Sequence, residues 1–348
     1  MSSIYEIPNG KNIKIYLNGN ENGYNPFNEF VESSLNSLES LRVNRYPNNN
    51  YKELKSLYAE YVNLSDENII VGNGSDEMLN LVISNYINYG RILVTLKPDF
   101  GMYDFYCSIN EGIIKKFKLN PNEGHINIRN FIKFSKEVKA DLIIFSNPNN
   151  PTGMAFSRDE IIEILNNLKN TIVLVDEAYY EFFGQSVVDL VKNYSNLLIT
   201  RTLSKAWGMA ALRVGFLIGE EKKIKELNKL KVPYNVNSYS NIIASNNLKY
   251  KEVMLESVDK IIKEREVLFK QLAEFNNDYI TFYKSYGNYI FGSGRVAHKL
   301  GELLEKDGIL IRVFNNNSIR ITIGNREENI ALIKSIKKAI KGRVLWEE

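Results

Sequence analysis

The chain has 348 residues, 44% of them hydrophobic and 24% charged, with a formal net charge of +3; that length predicts two subdomains, and the ordinary composition excludes disordered and fibrous classes. Its basic residues are dispersed, so no nucleic-acid partner is expected, and a single cysteine, Cys107, with two distant histidines, His125 and His298, excludes an internal disulfide and any Cys/His metal spacing. No apolar run approaches the ~20 residues that span a bilayer, and the opening "MSSIYEIPNG" has neither the charged nor the apolar region of a signal peptide, which predicts a cytoplasmic protein with no membrane partner.

In chain order, the first informative stretch is "IIVGNGSDEMLNLVI" (69–83), a strand, a Gly-Asn-Gly turn and a helix opening on Ser-Asp-Glu. Free N–H groups and the helix dipole there favour an anion such as a phosphate. A plain βα turn capped by Ser75 or Asp76 accounts for the same residues. Neither a dinucleotide fingerprint nor a Walker motif is completed. Short runs rich in Ile, Val and Leu then recur, as "RILVTL" (91–96), "DLIIF" (141–145), "TIVLVDE" (171–177), "NLLITRT" (196–202) and "VGFLIG" (214–219). They read as buried strands of a mostly parallel sheet. Helical patterns separate them, including "SRDEIIEILNNLKN" (157–170), whose Ser157 and Glu160 fit a capping box. The fold class is α/β.

Ligands of such sheets sit beyond the carboxyl ends of the strands. "FSNPNNPTG" (145–153) leaves its strand through two Asn-Pro steps, a rigid floor that aims Asn150 at a ligand. The strand 171–177 ends in Asp176 and Glu177. Carboxylates so placed are partly desolvated, which is costly unless a cation or a protonated ring nitrogen faces them; a cap on the sheet rim is the alternative. Lys205, just beyond strand 196–202, belongs at the same sheet edge, near Thr202, Ser204 and Arg213. Apolar and cationic neighbours depress a lysine's pKa and make it a carbonyl nucleophile. After about residue 235 a long helical stretch (241–275) is followed by "NYIFGSG", "GILIRVF", "IRITIG" and a closing amphipathic helix (327–340). The expected organisation is an N-terminal segment (1–30), a large domain (31–240) and a smaller one (241–348).

Taken together, the anion-binding turn, the Asn-Pro loop, the strand-end Asp176 and the lysine 29 positions later resemble the fold-type I pyridoxal-phosphate aminotransferases. "NRYPNNNYKEL", "GNGSDE", "SNPNNPTG", "VDEAYYEF", "RTLSKAWGMAALRVGF" and "IRITIGNREEN" follow the order of the histidinol-phosphate aminotransferase family across essentially the whole chain. The resemblance implies a large domain with a mostly parallel seven-stranded sheet between helices and a smaller α+β domain. It implies pyridoxal 5′-phosphate, with Lys205 as the Schiff-base lysine, Asp176 on the pyridinium nitrogen, and Asn150 and Tyr179 on the phenolic oxygen. Gly74, Ser75, Thr202, Ser204 and Arg213 would hold the phosphate, joined by Tyr46 from the partner of a homodimer. Arg320 would read the acidic end of the substrate, with Arg312 and Tyr5 near a substrate phosphate. "KPDFGMY" departs from the family run "PPTYGMY", so Phe100 would stack on the ring without a hydroxyl. Trp207 and Ala211 stand where phenylalanine and glycine are usual.

The implied chemistry is transamination by a ping-pong route, with 2-oxoglutarate and glutamate as the second pair. Decarboxylation of a phosphoamino acid such as threonine phosphate and transamination of another amine remain open, because the Cα bond perpendicular to the ring decides the outcome. A regulator that binds the cofactor without turnover is the reading from a different class.

Overall fold

In a computed structural model, which describes residues 12–27, 31–39, 41–47 and 50–341, the chain builds two sheets. Its strands are β1 (Ile15–Leu17), β2 (Ile69–Asn73), β3 (Ile92–Lys97), β4 (Ile113–Lys118), β5 (Leu142–Ser146), β6 (Ile172–Asp176), β7 (Leu197–Thr202), β8 (Val214–Gly219), β9 (Thr281–Tyr283), β10 (Tyr289–Ser293), β11 (Ile309–Phe314) and β12 (Ser318–Thr322). The helices are α1 (Val31–Leu38), α2 (Lys52–Val62), α3 (Gly74–Tyr86), α4 (Met102–Ile109), α5 (Ile128–Glu137), α6 (Arg158–Asn167), α7 (Tyr180–Phe183), α8 (Glu221–Asn228), α9 (Ser238–Leu248), α10 (Lys251–Ala273), α11 (Ala297–Lys306) and α12 (Arg326–Lys341). Among the described residues no helix is long and apolar enough to cross a membrane.

The larger sheet has seven strands in the order β2-β8-β7-β6-β5-β3-β4, with β8 antiparallel to both neighbours and the other pairings parallel. Its central strands are buried on both faces because successive side chains point to opposite sides. Ile143, Phe145, Val173, Val175, Leu197 and Ile199 enter one core, with Leu54 and Tyr58 of α2, Phe131 of α5 and Ile161 of α6. Their neighbours Leu142, Ile144, Leu174 and Leu198 enter the opposite core, with Met78 and Val82 of α3, Tyr103 of α4 and Ile224 of α8. The result is a helix-sheet-helix sandwich. Ser157 and Glu160 form the expected capping box at the start of α6. At the edge, β4 carries Lys115, Lys116 and Lys118 and alternates in exposure; charge on an exposed edge discourages pairing with other chains.

The smaller sheet runs β1-β11-β12-β10-β9. β1 pairs with β11 in parallel register, Ile15 opposite Ile309, so the N-terminal segment is built into the smaller sheet. α9, which follows the larger sheet in sequence, packs against α1 and α2.

The pleat also separates the two acids that end β6. Glu177 emerges on the side of α2, where its carboxylate meets the Arg201 guanidinium at 2.8 and 2.9 Å and accepts from the Val187 amide at 2.8 Å. Arg201 stacks 3.6 Å above the Tyr180 ring and donates to Ser186 at 2.6 Å. Both side chains of the ion pair are almost fully buried, so each charge depends on the other. Arg201→Met is therefore expected to destabilise the protein by ~3–5 kcal/mol, read as a lower urea midpoint, and adding Glu177→Leu should recover part of the loss.

Candidate active site

Asp176, the other acid, emerges on the side of α4 and is 3% exposed. Its carboxylate accepts from the Tyr103 hydroxyl at 2.8 Å and the Thr200 hydroxyl at 3.1 Å. Burial pushes it up to about 6, against the pull of these two hydrogen bonds. Neither donor is a cation, so the site provides an acid that a protonated partner would bring back to its ordinary ionisation. Tyr103 and Thr200 were not singled out in the sequence; the only signal for Tyr103 is its place one helical turn after Phe100, whose ring meets it edge-on at 5.7 Å.

Asp176 lines a cavity of about 340 Å³ with Lys205, Ser75, Asp76, Phe100, Asn150, Tyr179, Thr202, Ser204, Arg213 and Arg320. That volume suits a small organic ligand. Lys205 donates from Nζ to the Gly19 carbonyl at 2.8 Å. Burial first, then Arg320 and Arg213, lower its ammonium to about 8, with Glu21 and Asp76 opposing. The N-terminal segment thus reaches the lysine, a contact no local pattern announces.

One end of the cavity is a cluster of donors. Thr202 Oγ1 lies 2.9 Å from Ser204 Oγ and accepts from the Ser204 amide at 3.1 Å. Arg213, in the left-handed region at φ 52°, donates to Ser204 Oγ at 3.2 Å and to Asp76 at 3.1 Å. The expected turn before α3 is absent: β2 runs directly into the helix at Gly74, and Asn73 makes no side-chain cap. Neither Ser75 nor Asp76 is the cap, because helix formation starts one residue earlier. Gly74 has φ +77°, and a Cβ there would lie 2.7 Å from the Arg213 guanidinium. Gly215, on β8, is the glycine the sequence did not flag: a Cβ on it would meet the Ser75 amide nitrogen at 2.3 Å. Two bare backbones therefore let the helix start and the arginine converge on one point. Gly74 itself does not line the cavity; it acts by this absence of a side chain.

At the other end, Asn150 Oδ1 accepts from Arg320 at 2.6 Å, and Asn150 Nδ2 lies 3.5 Å from the Tyr179 hydroxyl. Arg320 also donates to the Asn18 carbonyl at 2.6 Å, while its Nε has no hydrogen-bond partner among the described residues. Arg312 does not line the cavity; it sits directly opposite Arg320 across the β11–β12 pair, on the same sheet face, with its guanidinium 5.8 Å from the Phe314 ring. Tyr46 also lies away from it, 82% exposed and stacked on Tyr234 at 4.9 Å. Tyr5 lies outside the described residues. No local pattern marks Asp99, a half-buried residue whose carboxylate accepts from Ser146 Oγ and the Phe100 amide and is pushed up to about 8 by desolvation.

These residues fit a phosphorylated pyridine aldehyde: a donor cup for the phosphate, an acid for a protonated ring nitrogen, an aromatic wall and a lysine of lowered basicity. No group of His, Cys, Asp and Glu among the described residues could hold a metal ion.

The family model for class I and II aminotransferases matches residues 12–336. A histidinol-phosphate aminotransferase of Clostridium novyi is 40% identical over 332 residues, 94% of this chain and 92% of that protein. Among solved structures, the histidinol-phosphate aminotransferase of Sinorhizobium meliloti in complex with pyridoxal-5′-phosphate matches with a TM-score of 0.88 at 20% identity, over 98% of this chain and 96% of that one. An L-threonine-O-3-phosphate decarboxylase of Porphyromonas gingivalis shares the fold with a TM-score of 0.80 at 20% identity, over 94% and 100%.

The lowered Lys205 gives a pH dependence with a definite sign. Only the neutral amine attacks an aldehyde, so capture of pyridoxal 5′-phosphate by the ligand-free protein should fall about tenfold per pH unit below about 8 and level off above it. Stopped-flow absorbance from pH 6 to 10 checks this; an ordinary lysine would keep the rate climbing to ~10.4.

Proposed function

This chain belongs to the family of class I and II aminotransferases and works with pyridoxal 5′-phosphate, and from that premise we propose that it moves the amino group of histidinol phosphate to 2-oxoglutarate. The observation that carries the reading is the pairing, in one cavity, of a nucleophilic lysine and a cation-seeking acid with an arginine, Arg320, held in the cavity wall by Asn150 and the Asn18 carbonyl. The relatives that match over nearly the whole chain support the choice of amine. Decarboxylases share the fold, so the fold alone does not select transamination.

The cofactor, when bound, supplies a carbonyl carbon for the amine and a ring that accepts electrons. The protein does the rest. Asp176 holds a proton on the ring nitrogen by electrostatics, without itself giving one up. Tyr179 and Asn150 hydrogen-bond the phenolic oxygen, and Phe100 covers a ring face without adding a hydroxyl. Ser75, Thr202, Ser204 and Arg213 bind the phosphate, with Gly74 leaving them room. Lys205 Nζ, when free of the cofactor, would take the substrate Cα proton and return it to the cofactor's carbonyl carbon. The Gly19 carbonyl gives that ammonium a resting acceptor.

Arg320 binds a carboxylate or a phosphate through its fork, which lets one cavity serve glutamate and a phosphorylated amine in alternate half-reactions. Arg312, on the same face of the small sheet, and Tyr5 complete the phosphate reading. Tyr46 of the partner subunit completes the cofactor-phosphate cup in a homodimer. In support, Tyr46 and Tyr234 stack on each other while exposed, and Val43 and Val232, two or three residues from them in sequence, are exposed as well, apolar surface that a second copy could cover. We place the enzyme in the cytoplasm.

Protein loaded with cofactor and given histidinol phosphate and 2-oxoglutarate should form glutamate; no glutamate, or carbon dioxide released from threonine phosphate, overturns the reading. Asp176→Asn should retain part of the cofactor affinity but lose roughly 10²–10³-fold in kcat, measured in the same assay. Light scattering should give twice the 40.1 kDa chain mass, and Tyr46→Ala should speed loss of cofactor on dilution.

A further inference from the structure

Asn20 follows β1 by three residues and is fully buried. Its φ is 53°, in the left-handed region where asparagine is the best tolerated residue after glycine. All its polar groups are engaged. The amide Nδ2 donates to the Tyr179 hydroxyl at 3.0 Å, and Oδ1 accepts from the Thr322 hydroxyl at 3.2 Å. The backbone N–H donates to Thr322 Oγ1 at 2.9 Å, and the carbonyl accepts from Asn288 at 3.0 Å. Thr322 stands two residues after Arg320 on β12, so both side chains share one face of the small sheet.

Tyr179 also receives the Asn150 amide. That amide's orientation is fixed, because its oxygen accepts from Arg320, a side chain that can only donate. Two amide donors on one phenol oxygen occupy its acceptor capacity and make the phenol a donor in turn.

We propose that Asn20 is a positioning residue that fixes Tyr179 as a hydrogen-bond donor toward the cofactor's ring oxygen, and so sets the proton affinity of the nitrogen joining Lys205 to the cofactor. The inference rests on the cofactor reading above. A phenol that donates to the ring oxygen draws negative charge away from the neighbouring nitrogen's proton, which is then lost at lower pH. Asn20 also ties this donor to the strand that carries Arg320. The charged groups that act on the same nitrogen are Arg320 on β12, Arg213 and Asp76 at the phosphate end, and Glu21 next to Asn20, with Asp176 of β6 lining the same cavity; the Tyr289 phenol on β10 packs edge-on to the Tyr179 ring. The variants below leave all of them in place.

Two replacements separate the amide from the backbone. Asn20→Gly keeps the left-handed turn without strain and removes the amide. Asn20→Asp keeps the shape but turns the donor into an acceptor, so the Tyr179 proton is drawn to residue 20. Each protein is loaded with pyridoxal 5′-phosphate, and the visible band of the cofactor joined to lysine is titrated with pH. The midpoint should rise in both, by about 1 pH unit in Asn20→Asp and by less in Asn20→Gly, with the phosphate-end contacts and the far-ultraviolet circular dichroism retained. Unchanged midpoints overturn the proposal, as does a lower midpoint in Asn20→Gly, which would mean that Tyr179 donates to Asn20 instead of accepting from it. If the parent protein itself shows no visible band that borohydride fixes to Lys205, the cofactor reading fails first and takes this inference with it; a titrating parent band with unmoved variants removes the Asn20 assignment alone.

Discussion

Two carboxylates in consecutive positions at the end of a buried strand would ordinarily be an expensive accident, since neither can be hydrated and each repels the other. Here the pleat of β6 resolves the cost by sending them to opposite sides of the sheet. Glu177 is neutralised by Arg201 within the fold. Asp176 receives neutral donors, the hydroxyls of Tyr103 and Thr200 and the Ala178 amide. The first acid belongs to stability and the second to a ligand, and the remaining site residues are placed by their position relative to that second acid. Lys205 follows the neighbouring strand β7, Asn150 follows β5, and Phe100 follows β3, all on the carboxyl edge.

This division was only half legible in the sequence. A buried acid needs either a cation or a protonated ring, and the chain uses one answer for each; which acid takes which depends on the register of β6 against β7, which no local pattern encodes. The central strands were readable because burial on both faces leaves unbroken apolar runs. β4, with its lysines, and the three-residue strands β1 and β9 were not, because an edge strand needs no such run and a very short one has no pattern to display. Lys205, Asp176, Asn150, Tyr179, Thr202 and Ser204 line one cavity because the ends of parallel strands converge on one edge, where antiparallel β8 begins just after Arg213; Arg320 joins them from β12 of the smaller sheet. Tyr103, Thr200, Gly19 and Asn20 escaped notice for the opposite reason: each acts across a long interval of sequence or through a common residue type.

The phosphate end shows how small residues carry as much information as charged ones. Arg213 could not approach the start of α3 past a side chain on Gly74, nor could α3 settle on β8 past one on Gly215. The helix N-terminus offers unpaired N–H groups, but its direction is set by these two bare backbones. Asp76, which pairs with Arg213 across the opening, holds the guanidinium in place without closing the cup.

Among the described residues β1 pairs with one strand, β11, nearly three hundred residues later in the chain. The segment bearing Gly19 and Asn20 therefore has no sheet to join until the last quarter of the polypeptide has been made. Contacts of such separation form late, because the loop they close must first be ordered. During synthesis the large domain can fold around Asp176 and Lys205 while the lysine's carbonyl partner and the tyrosine's amide donor are still unanchored. Completion of the site is thus a measure of completion of the chain: a truncated product would hold the right residues on the large sheet and yet lack the strand that arranges them.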